Sequence, residues 1–514
     1  MHEKTNVRSV TWAAIVLGLV STLFGGVGCG SVAPAPQGVS TSTTTPATSP
    51  IATQPATSAT GHYEALARRI DAIFDGTGAT AAIRVIELPS GRELYAREAD
   101  RPVMPASNMK LVTTAMALDH FGPEHKFETK LAVAGDDLYL IGGGDPGFGD
   151  PTIATWAKRK PTDDFAPLAQ ALIDRGMTRV KGNLYYDDRA LDEQWTHPSW
   201  SKSFREFWYA APVSGLNFGD NCIDVTVHPT EPGKPARYEV MPPTAGVRIE
   251  NNCVTGDKQT AAIKRGPGPK DYIISGVCQK TAELASKPVD NPGEFTADAF
   301  RTYLATRGVT VDGRIERAAA GAAAKADVIA TRATLMSDVI KRVNKSSQNF
   351  MAEALDKLCG EALKHEPGGD ASGTSWQAGE RAARAFLQRM GVDAGPLRMT
   401  DGSGLSRENR VTARLISDLL AAMSRHPHGS VYRESLPIAG VDGTLRKRLA
   451  EVKGRVQAKT GTIGGVRSLS GYAQTADGRT VAFSILCNDI NRDEEAFLKK
   501  IDAAAEVIVE SGAR

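Results

Sequence analysis

The sequence changes character twice along its length, and these changes constrain the fold more than any other feature. Residues 79–120 predict a strand hairpin and a buried helix, because two apolar runs flank a Pro-Ser-Gly-Arg turn and apolar residues then recur at helical spacing. Residues 455–510 predict three strands and a closing helix. The long interval between them holds short β-like runs and turns, and helical patterns resume only near Leu335. The pattern predicts one α/β domain that is interrupted by a large β-rich insertion.

A chain of 514 residues has room for two or three domains with apolar cores of their own. The main domain is predicted at residues 62–123 and 327–514, and the insertion at residues 124–326. Within the insertion, residues 231–288 are rich in proline, glycine and lysine and predict a nested subdomain. Two segments precede the main domain: a signal peptide or membrane anchor at residues 1–33 and a disordered Pro/Ser/Thr tether at residues 34–61.

The N-terminal segment predicts export. Lys4 and Arg8 precede an uncharged apolar run at residues 10–27, which is typical of a secretory signal or an uncleaved membrane anchor, because both must enter the bilayer without a charge. Lipidation of Cys29 is a third alternative, although Gly26 stands where lipoproteins usually have a bulky aliphatic residue. We expect an exported body in the periplasm or at the extracytoplasmic cell surface, which contacts the membrane only through this segment.

The charge balance argues against a nucleic-acid partner. Lys and Arg together number 61 and Asp and Glu together 59, which gives a net charge of +2, and aromatic residues make up only 6% of the chain. Such a chain offers neither the basic surface nor the stacking rings that nucleic-acid binding needs. Neither histidines nor cysteines have metal-ligand spacing, so we expect no metal and no cofactor.

Two further patterns each have two interpretations. Export allows disulfides, and Cys253 with Cys278 is the pair we predict, with buried free thiols as the equally weighted alternative. The run from Gly142 to Gly147 formally matches a nucleotide-binding fingerprint, but Pro146 lies inside it and Gly149 stands where a helix should begin. We therefore interpret this run as a loop of the insertion.

Three short motifs occur in one order along the chain: Ser107-Asn108-Met109-Lys110, Ser347-Gln348-Asn349 and Lys459-Thr460-Gly461. A Ser-x-x-Lys match is weak evidence alone, and Ser199 to Lys202 is a second one. That second match lies in an aromatic stretch without a helical repeat. Ser107, in contrast, begins a predicted helix, on which positions i and i+3 share one face. The alternative for Ser107 and Lys110 is a capping serine beside a solvated lysine, and the ordered trio argues against it.

Ser107 and Lys110 have the spacing of a nucleophile and its base. A serine hydroxyl attacks only when a base takes its proton, and a lysine amine serves as that base only where desolvation and a nearby positive charge lower its pKa. Lys459 is the positive charge that we predict. The helix N-terminus also favours anionic charge on Ser107 through its macrodipole.

Ser347 and Asn349 are predicted to line the other wall of the same cleft. Ser347 would relay a proton between Lys110 and a leaving amine, because a hydroxyl can accept one proton while it donates another. The Asn349 amide would hydrogen-bond the substrate backbone.

The third motif lies on a predicted strand and suits substrate binding. Gly461 would let a substrate backbone come close and pair as an added strand. The hydroxyls of Thr460 and Thr462 would bind a terminal carboxylate beside Lys459. The backbone N–H groups of Ser107 and Thr462 would form an oxyanion hole.

Four further segments carry a resemblance to a known family. They are Pro105 to Leu111, Tyr209 to Asn217, Asp401 to Arg407 and Ala439 to Leu445. The motif trio resembles that of penicillin-binding proteins and class A β-lactamases. With the four segments, the chain from Leu66 onward resembles the D-alanyl-D-alanine carboxypeptidase/endopeptidase family, the class C low-molecular-mass penicillin-binding proteins. Gln348 stands where the family usually has Asp, and we expect its side chain to point away from the shared contacts.

The resemblance implies a fold and an activity. The fold would be a transpeptidase/β-lactamase-like domain of the α/β (α+β) type, an antiparallel sheet flanked by helices, with the large insertion between the first and second motifs. The activity would be that of an exported serine D-Ala-D-Ala peptidase, a carboxypeptidase, an endopeptidase or both, that cleaves peptidoglycan stem peptides through an acyl-enzyme on Ser107. β-Lactam antibiotics would be its covalent inhibitors.

Two alternatives remain open from the sequence. A β-lactamase needs a base for deacylation, and the chain has neither the Glu-x-x-Leu-Asn segment of class A nor the Tyr with which the middle motif of class C begins. A non-catalytic peptidoglycan-binding protein is the other alternative, although all the reactive residues are present.

Overall fold

The computed structural model describes residues 60–491 and 493–512. The predicted signal or anchor at residues 1–33, and the tether up to residue 59, lie outside the described residues. No helix within the described ranges is both long and apolar enough to cross a membrane.

The described residues form nineteen strands and eleven α-helices. The strands are β1 (Thr80–Leu88), β2 (Glu93–Arg97), β3 (Lys126–Ala134), β4 (Asp137–Gly142), β5 (Arg179–Val180), β6 (Leu184–Asp187), β7 (Cys222–His228), β8 (Arg237–Met241), β9 (Arg248–Thr255), β10 (Ala262–Arg265), β11 (Asp271–Cys278), β12 (Ala282–Glu283), β13 (Lys287–Pro288), β14 (Thr310–Val311), β15 (Ile315–Arg317), β16 (Asp327–Leu335), β17 (Val456–Ile463), β18 (Val466–Gln474) and β19 (Thr480–Asn488). The helices are α1 (Thr60–Phe74), α2 (Met109–Phe121), α3 (Pro151–Trp156), α4 (Ala166–Asp174), α5 (Pro292–Thr306), α6 (Met336–Ser346), α7 (Asn349–His365), α8 (Ser375–Arg389), α9 (Ala413–Met423), α10 (Gly429–Ser435) and α11 (Glu494–Glu510).

The main sheet joins the two ends of the described chain. Its five strands are antiparallel in the order β17-β18-β19-β1-β2, and β1 pairs with β19 so that Ile83 lies opposite Ile485. Because side chains alternate along a strand, Ile83 and Val85 face a core shared with α1 and α11, whereas Ala82 and Ile86 face a core shared with α2 and α9. This antiparallel sheet between two helical layers confirms the predicted fold.

The interval between α2 and α6 builds sheets of its own. A five-stranded sheet has the order β15-β6-β4-β3-β16, and its apolar core includes residues of α4 and α5. Strands β3 and β16 pair antiparallel, so the chain leaves for this region and returns from it side by side. A further core lies between the β10-β11-β9 sheet and the sheet formed around β7. The β-rich character predicted here is correct, whereas the helices α3, α4 and α5 of this region were not predicted.

The five cysteines among the described residues are all buried free thiols. Cys253 lies on β9 and Cys278 on β11, two parallel neighbours in one sheet, but Cys253 is opposite Gly276 and not opposite Cys278. The disulfide predicted between them is therefore not formed in the structure. The alternative of buried thiols describes them instead.

Candidate active site

Ser107 lies in a single turn of 3-10 helix, Ala106–Asn108, that leads directly into α2. Every residue of α2 from Met109 to Leu118 is buried, so the N-terminal end of this helix has a fixed position in the core. Ser107 is partly exposed, while Lys110 is completely buried one turn later. The Lys110 Nζ donates to Ser107 Oγ over 2.9 Å, which is the contact that the Ser-x-x-Lys spacing predicts.

Lys110 has two more acceptors and a strongly altered acidity. Its Nζ donates to Asn349 Oδ1 at 2.8 Å and to the backbone oxygen of Ser403 at 2.6 Å. Burial lowers the pKa of Lys110 to about 7, against the opposing effect of the carboxylates of Glu353 and Asp401. A lysine with such a pKa is partly neutral at neutral pH and can take the proton of the serine it touches.

Lys459 occupies the adjacent strand β17 and is also completely buried. Its Nζ donates to Ser347 Oγ at 2.8 Å and to the backbone oxygen of Thr460 at 2.7 Å. Burial, and then the positive charge of Lys110, lower the pKa of Lys459 well below its usual range. The charge of Lys110 therefore disfavours an ammonium group on Lys459. The converse effect, of Lys459 on the pKa of Lys110, stays a prediction.

The middle motif forms the turn between α6 and α7. Ser347 ends α6 in the left-handed conformation with φ of 56°, and Asn349 is the first residue of α7. Among its described contacts Lys110 reaches Asn349 and not Ser347, whose hydroxyl accepts from Lys459. The proton relay from Lys110 through Ser347 stays a prediction. Gln348 is buried and points away from Lys110, as expected, with its Nε2 donating to Asp220 at 2.7 Å.

Strand β17 passes very close to the serine turn. A Cβ atom on Gly461 would lie 2.0 Å from Ser468 Oγ, 3.0 Å from the Pro105 oxygen and 3.1 Å from the Ser107 nitrogen. Only glycine fits at this position. Asn108 Nδ2 donates to the Lys459 oxygen at 2.9 Å and ties the same strand to the turn.

The two threonines of this strand differ in their surroundings. Thr462 is exposed, so its hydroxyl is open to a ligand, whereas the Thr460 hydroxyl donates to Thr444 Oγ1 at 2.8 Å. Thr444 belongs to one of the four segments that carried the family resemblance. Asp442 of the same segment accepts from Lys345 Nζ at 2.6 Å, which ties it to the last turn of α6.

The roles of three residues at the site, Ser403, Glu353 and Tyr209, were not predicted. The Ser403 oxygen accepts from Lys110, and the Glu353 carboxylate holds that loop by accepting from the backbone nitrogens of Gly402 at 3.0 Å and Ser403 at 2.8 Å. Tyr209 contributes its backbone oxygen, which accepts from Asn349 Nδ2 at 2.8 Å. Ser403 and Tyr209 lie in two of the segments that resemble the family, so the sequence did point to the regions that contain them.

The structure thus brings all three motifs to one cleft, within hydrogen-bonding distance of one another. The second Ser-x-x-Lys match is not part of it: Ser199 Oγ donates to Ser406 Oγ, and Lys202 is exposed. No cluster of three or more potential metal ligands occurs among residues 60–491 and 493–512.

Comparisons with known proteins identify the family of the chain. The model of the D-Ala-D-Ala carboxypeptidase 3 (S13) family matches residues 66–510. A D-alanyl-D-alanine carboxypeptidase of Actinomadura sp. (strain R39) is 32% identical over 454 residues, which cover 82% of this chain and 81% of that protein. The D-alanyl-D-alanine carboxypeptidase DacB of Haemophilus influenzae is 24% identical over 399 residues, or 74% of this chain and 79% of that one.

The fold also has a solved counterpart. The crystal structure of penicillin binding protein 4 (dacB) from Haemophilus influenzae has a TM-score of 0.70 and 21% sequence identity, and it covers 85% of this chain and 97% of that one. A second structure of that protein, in complex with a β-lactam, has a TM-score of 0.64. The chain described here belongs to the D-Ala-D-Ala carboxypeptidase 3 (S13) family.

Proposed function

We propose that Ser107 is the nucleophile of this D-Ala-D-Ala peptidase and that neutral Lys110 is its general base. The single observation that carries this assignment is the 2.9 Å contact from Lys110 Nζ to Ser107 Oγ at a lysine that burial brings to a pKa of about 7. As Ser107 Oγ bonds to the carbonyl carbon of the penultimate D-Ala, its proton passes to Lys110. The backbone N–H groups of Ser107 and Thr462 stabilise the resulting oxyanion.

Ser347 and Lys459 complete the first half of the reaction. Lys459 donates to Ser347 Oγ, so the Ser347 hydroxyl is free to give its own proton to the amine that leaves as the peptide bond breaks. A proton from Lys459 replaces the one given. Water then attacks the ester carbonyl on Ser107 and gives a proton to Lys459 through Ser347, while Lys110 returns its proton to Ser107 Oγ. The ester bond breaks, the shortened peptide leaves, and Ser107 and both lysines regain their starting protonation states.

The substrate class follows from the walls of the cleft. Strand β17 offers a backbone edge at Gly461 for an extended peptide, and the exposed hydroxyl of Thr462 beside Lys459 suits a terminal carboxylate. The Asn349 amide on one wall of the cleft and the Thr460 hydroxyl on the other bind the substrate from its two sides. Peptidoglycan stem peptides have these groups, and β-lactams, which resemble them, acylate the same serine.

The place of action and the organisation of the chain belong to this proposal. The body acts outside the cytoplasmic membrane, where stem peptides occur, and residues 1–33 supply its export and any anchoring. The catalytic domain comprises residues 62–123 and the C-terminal part of the chain. The pairing of β16 with β3 supports an insertion that continues to residue 335 instead of 326, and the participation of β7 in the nested core supports a subdomain that begins near residue 222 instead of 231.

The intact mass of the full chain after incubation with benzylpenicillin tests the assignment. We expect one lasting adduct per chain, mapped to the peptide that contains Ser107, and no adduct on Ser107→Ala, with activity on a D-Ala-D-Ala peptide reduced at least about 10⁴-fold. Rapid hydrolysis of benzylpenicillin without a lasting adduct would instead indicate a β-lactamase. Neither adduct nor hydrolysis would indicate a peptidoglycan-binding protein without turnover.

A further inference from the structure

One segment of the insertion contacts both residues that follow Ser347. This segment, residues 209–221, is named the clamp segment here. At its start the Tyr209 oxygen accepts from Asn349 Nδ2 at 2.8 Å, and near its end Asp220 Oδ2 accepts from Gln348 Nε2 at 2.7 Å. Two consecutive side chains of the middle motif are thus held by one stretch of the inserted region.

The clamp segment has a well-defined conformation of its own. Asn217 Nδ2 donates to the Ser214 oxygen at 2.7 Å, and Asn221 Nδ2 donates to Asn217 Oδ1 at 2.7 Å and to the Pro212 oxygen at 2.9 Å. The side chains of Ser214, Asn217 and Asn221 are all buried. Buried and mutually hydrogen-bonded amides resist rearrangement, because any movement would leave polar groups unsatisfied. The two contact points of the segment therefore have a fixed separation.

A buried ion pair joins the same segment to helix α6. Arg342 on α6 donates from Nε to Asp150 Oδ2 at 2.9 Å and from Nη2 to Asp220 Oδ2 at 3.2 Å. Burial and the neighbouring Asp150 raise the pKa of Asp220 well above its usual range. Gln348 therefore faces a site already crowded with carboxyl groups, where a neutral donor fits and a third carboxylate would not.

The turn at Ser347 needs such support. With φ of 56° it adopts a left-handed conformation that residues with a side chain rarely take, and it persists only where neighbouring groups hold it. Its hydroxyl must face Lys459, while Asn349 must face Lys110. Gln348, the residue between them, points away from both lysines and contacts Asp220 of the clamp segment.

We infer that the clamp segment positions Ser347 and Asn349 for acylation, and that Asp220 and Gln348 are positioning residues of the reaction. The insertion is then a working part of the active site as well as a separate folding region. This inference rests on the proposed role of Ser107. If benzylpenicillin does not acylate the parent protein, the proposed role of Ser107 is refuted. If the parent is acylated, the variants described next test only the positioning role of the clamp segment.

The experiment exchanges the two groups of the Asp220–Gln348 contact in the full chain. Gln348→Glu keeps the length of the side chain but places a carboxylate against Asp220, so we expect the second-order rate constant for benzylpenicillin acylation to fall about 30-fold. Asp220→Asn keeps an oxygen acceptor for Gln348 and can donate to Asp150, so we expect it to stay within about threefold of the parent. In the double variant the amide at position 220 can donate to the carboxylate at position 348, but Asp220 Oδ2 also accepts from Arg342 Nη2 in the parent. We therefore expect acylation to recover in part, to a rate above that of Gln348→Glu alone.

Two further variants separate positioning from folding. Asp298 is a buried carboxylate of the insertion that accepts from the Gly246 nitrogen at 2.6 Å and touches none of the site residues, so Asp298→Asn should lower the melting temperature and leave acylation of the folded protein unchanged. Gln348→Ala removes the hydrogen bond without adding a charge and serves where Gln348→Glu does not fold, with an expected loss of about 10-fold.

Rescue in the double variant is the result that a purely structural role would not give. The inference is overturned if folded Gln348→Glu and Gln348→Ala are acylated as fast as the parent. It is equally overturned if Asp220→Asn combined with Gln348→Glu is as slow as Gln348→Glu alone, or if Asp298→Asn slows acylation as much as the Gln348 variants.

Discussion

The two walls of the cleft are held in place by different physical means. On one wall, the serine turn and strand β17 meet through close backbone approach, with Gly461 next to the Ser107 nitrogen and the Ser468 hydroxyl donating to the Pro105 oxygen at 2.9 Å. On the other wall, the turn at Ser347 is held by polar and charged side chains, among them Gln348. The first wall belongs entirely to the main domain, whereas the second depends on the insertion.

This difference determines what each wall tolerates. A wall that is held by close packing is disturbed by a larger side chain, because even one added methyl group meets backbone atoms that cannot move aside. A wall built by hydrogen bonds is sensitive to charge and to the exchange of donors and acceptors, because an unpaired buried polar group is costly. The two kinds of substitution should therefore have separable effects on acylation.

The largest effect is expected from volume at the first wall. Gly461→Ala would place a Cβ atom 3.1 Å from the Ser107 nitrogen and 3.0 Å from the Pro105 oxygen, both backbone atoms. The strand must then move away from the nucleophile and from the oxyanion position. We expect the second-order rate constant for benzylpenicillin acylation to fall at least about 100-fold.

Gly464 in the same hairpin provides the matched control. A Cβ atom there would meet only Arg407 Nη1, at 3.8 Å, which is ordinary contact. Gly464→Ala should leave the acylation rate within about twofold of the parent. Equal rates for Gly461→Ala and Gly464→Ala would show that close packing does not position the serine.

The sequence identified the first wall more completely than the second. Ser107, Lys110 and Lys459 are side chains whose chemistry depends on their own identity, so their types and their helical or strand context pointed to their roles. The terminal strands of the main sheet were equally accessible, because apolar runs mark β1 and β19 on both sides of the long insertion.

The supporting contacts could not be found in this way. The Ser403 and Tyr209 oxygens act through the backbone, which no residue type reveals. Glu353 lies on the amphipathic helix α7, where an acidic residue ordinarily indicates a solvent-exposed face, yet it is completely buried. The side-chain partner of Gln348 is Asp220, which lies 128 residues earlier in the chain. A pairing over such a distance cannot be read from the sequence. Interactions of this kind depend on tertiary structure.

A smaller effect, on pH dependence, should follow from charge next to Lys110. Acylation needs neutral Lys110, so in the parent its rate should rise with pH and level off above the lysine pKa of about 7. Asn349→Asp places a carboxylate at the oxygen that Lys110 Nζ contacts, which stabilises the ammonium form and should move the half-maximal rate to higher pH. Glu353→Gln removes a carboxylate that raises this pKa, and should move the half-maximal rate to lower pH.

Two carboxylates, Glu353 and Asp401, raise the pKa of Lys110 in the parent, against the effect of its burial. Stopped-flow acylation between pH 5 and pH 9 measures both variants against the parent, and the direction of the shift is independent of any general loss of rate. Shifts of both variants in the same direction would show that Lys110 is not the group that titrates.

The smallest effect concerns a buried carboxyl group that neither wall uses. Asp356 lies one turn after Glu353 on α7, is buried, and has no hydrogen-bond partner for either oxygen among the described residues. Burial, and then the charges of Glu353 and Asp401, raise its pKa well above the usual value. Because the folded state then binds the proton more tightly than the unfolded state, the protein loses stability as pH rises from the unfolded pKa of about 4 toward the folded pKa. The loss is about 1.4 kcal/mol for each pH unit within that interval.

Asp356→Asn removes this titration while nearly preserving the shape of the side chain. We expect the melting temperature of the variant to exceed that of the parent by a few degrees at pH 8, and this difference to shrink as the pH falls to 5. Asp401→Asn is the matched control, since Asp401 is equally buried but accepts from four donors: Trp200 Nε1, Gly404 N, Ser406 N and Asn409 Nδ2. That variant should melt below the parent, because an amide nitrogen would face groups that donate. A lower melting temperature for Asp356→Asn at pH 8 would mean that this carboxylate is stabilised by its surroundings although neither of its oxygens has a hydrogen-bond partner among the described residues.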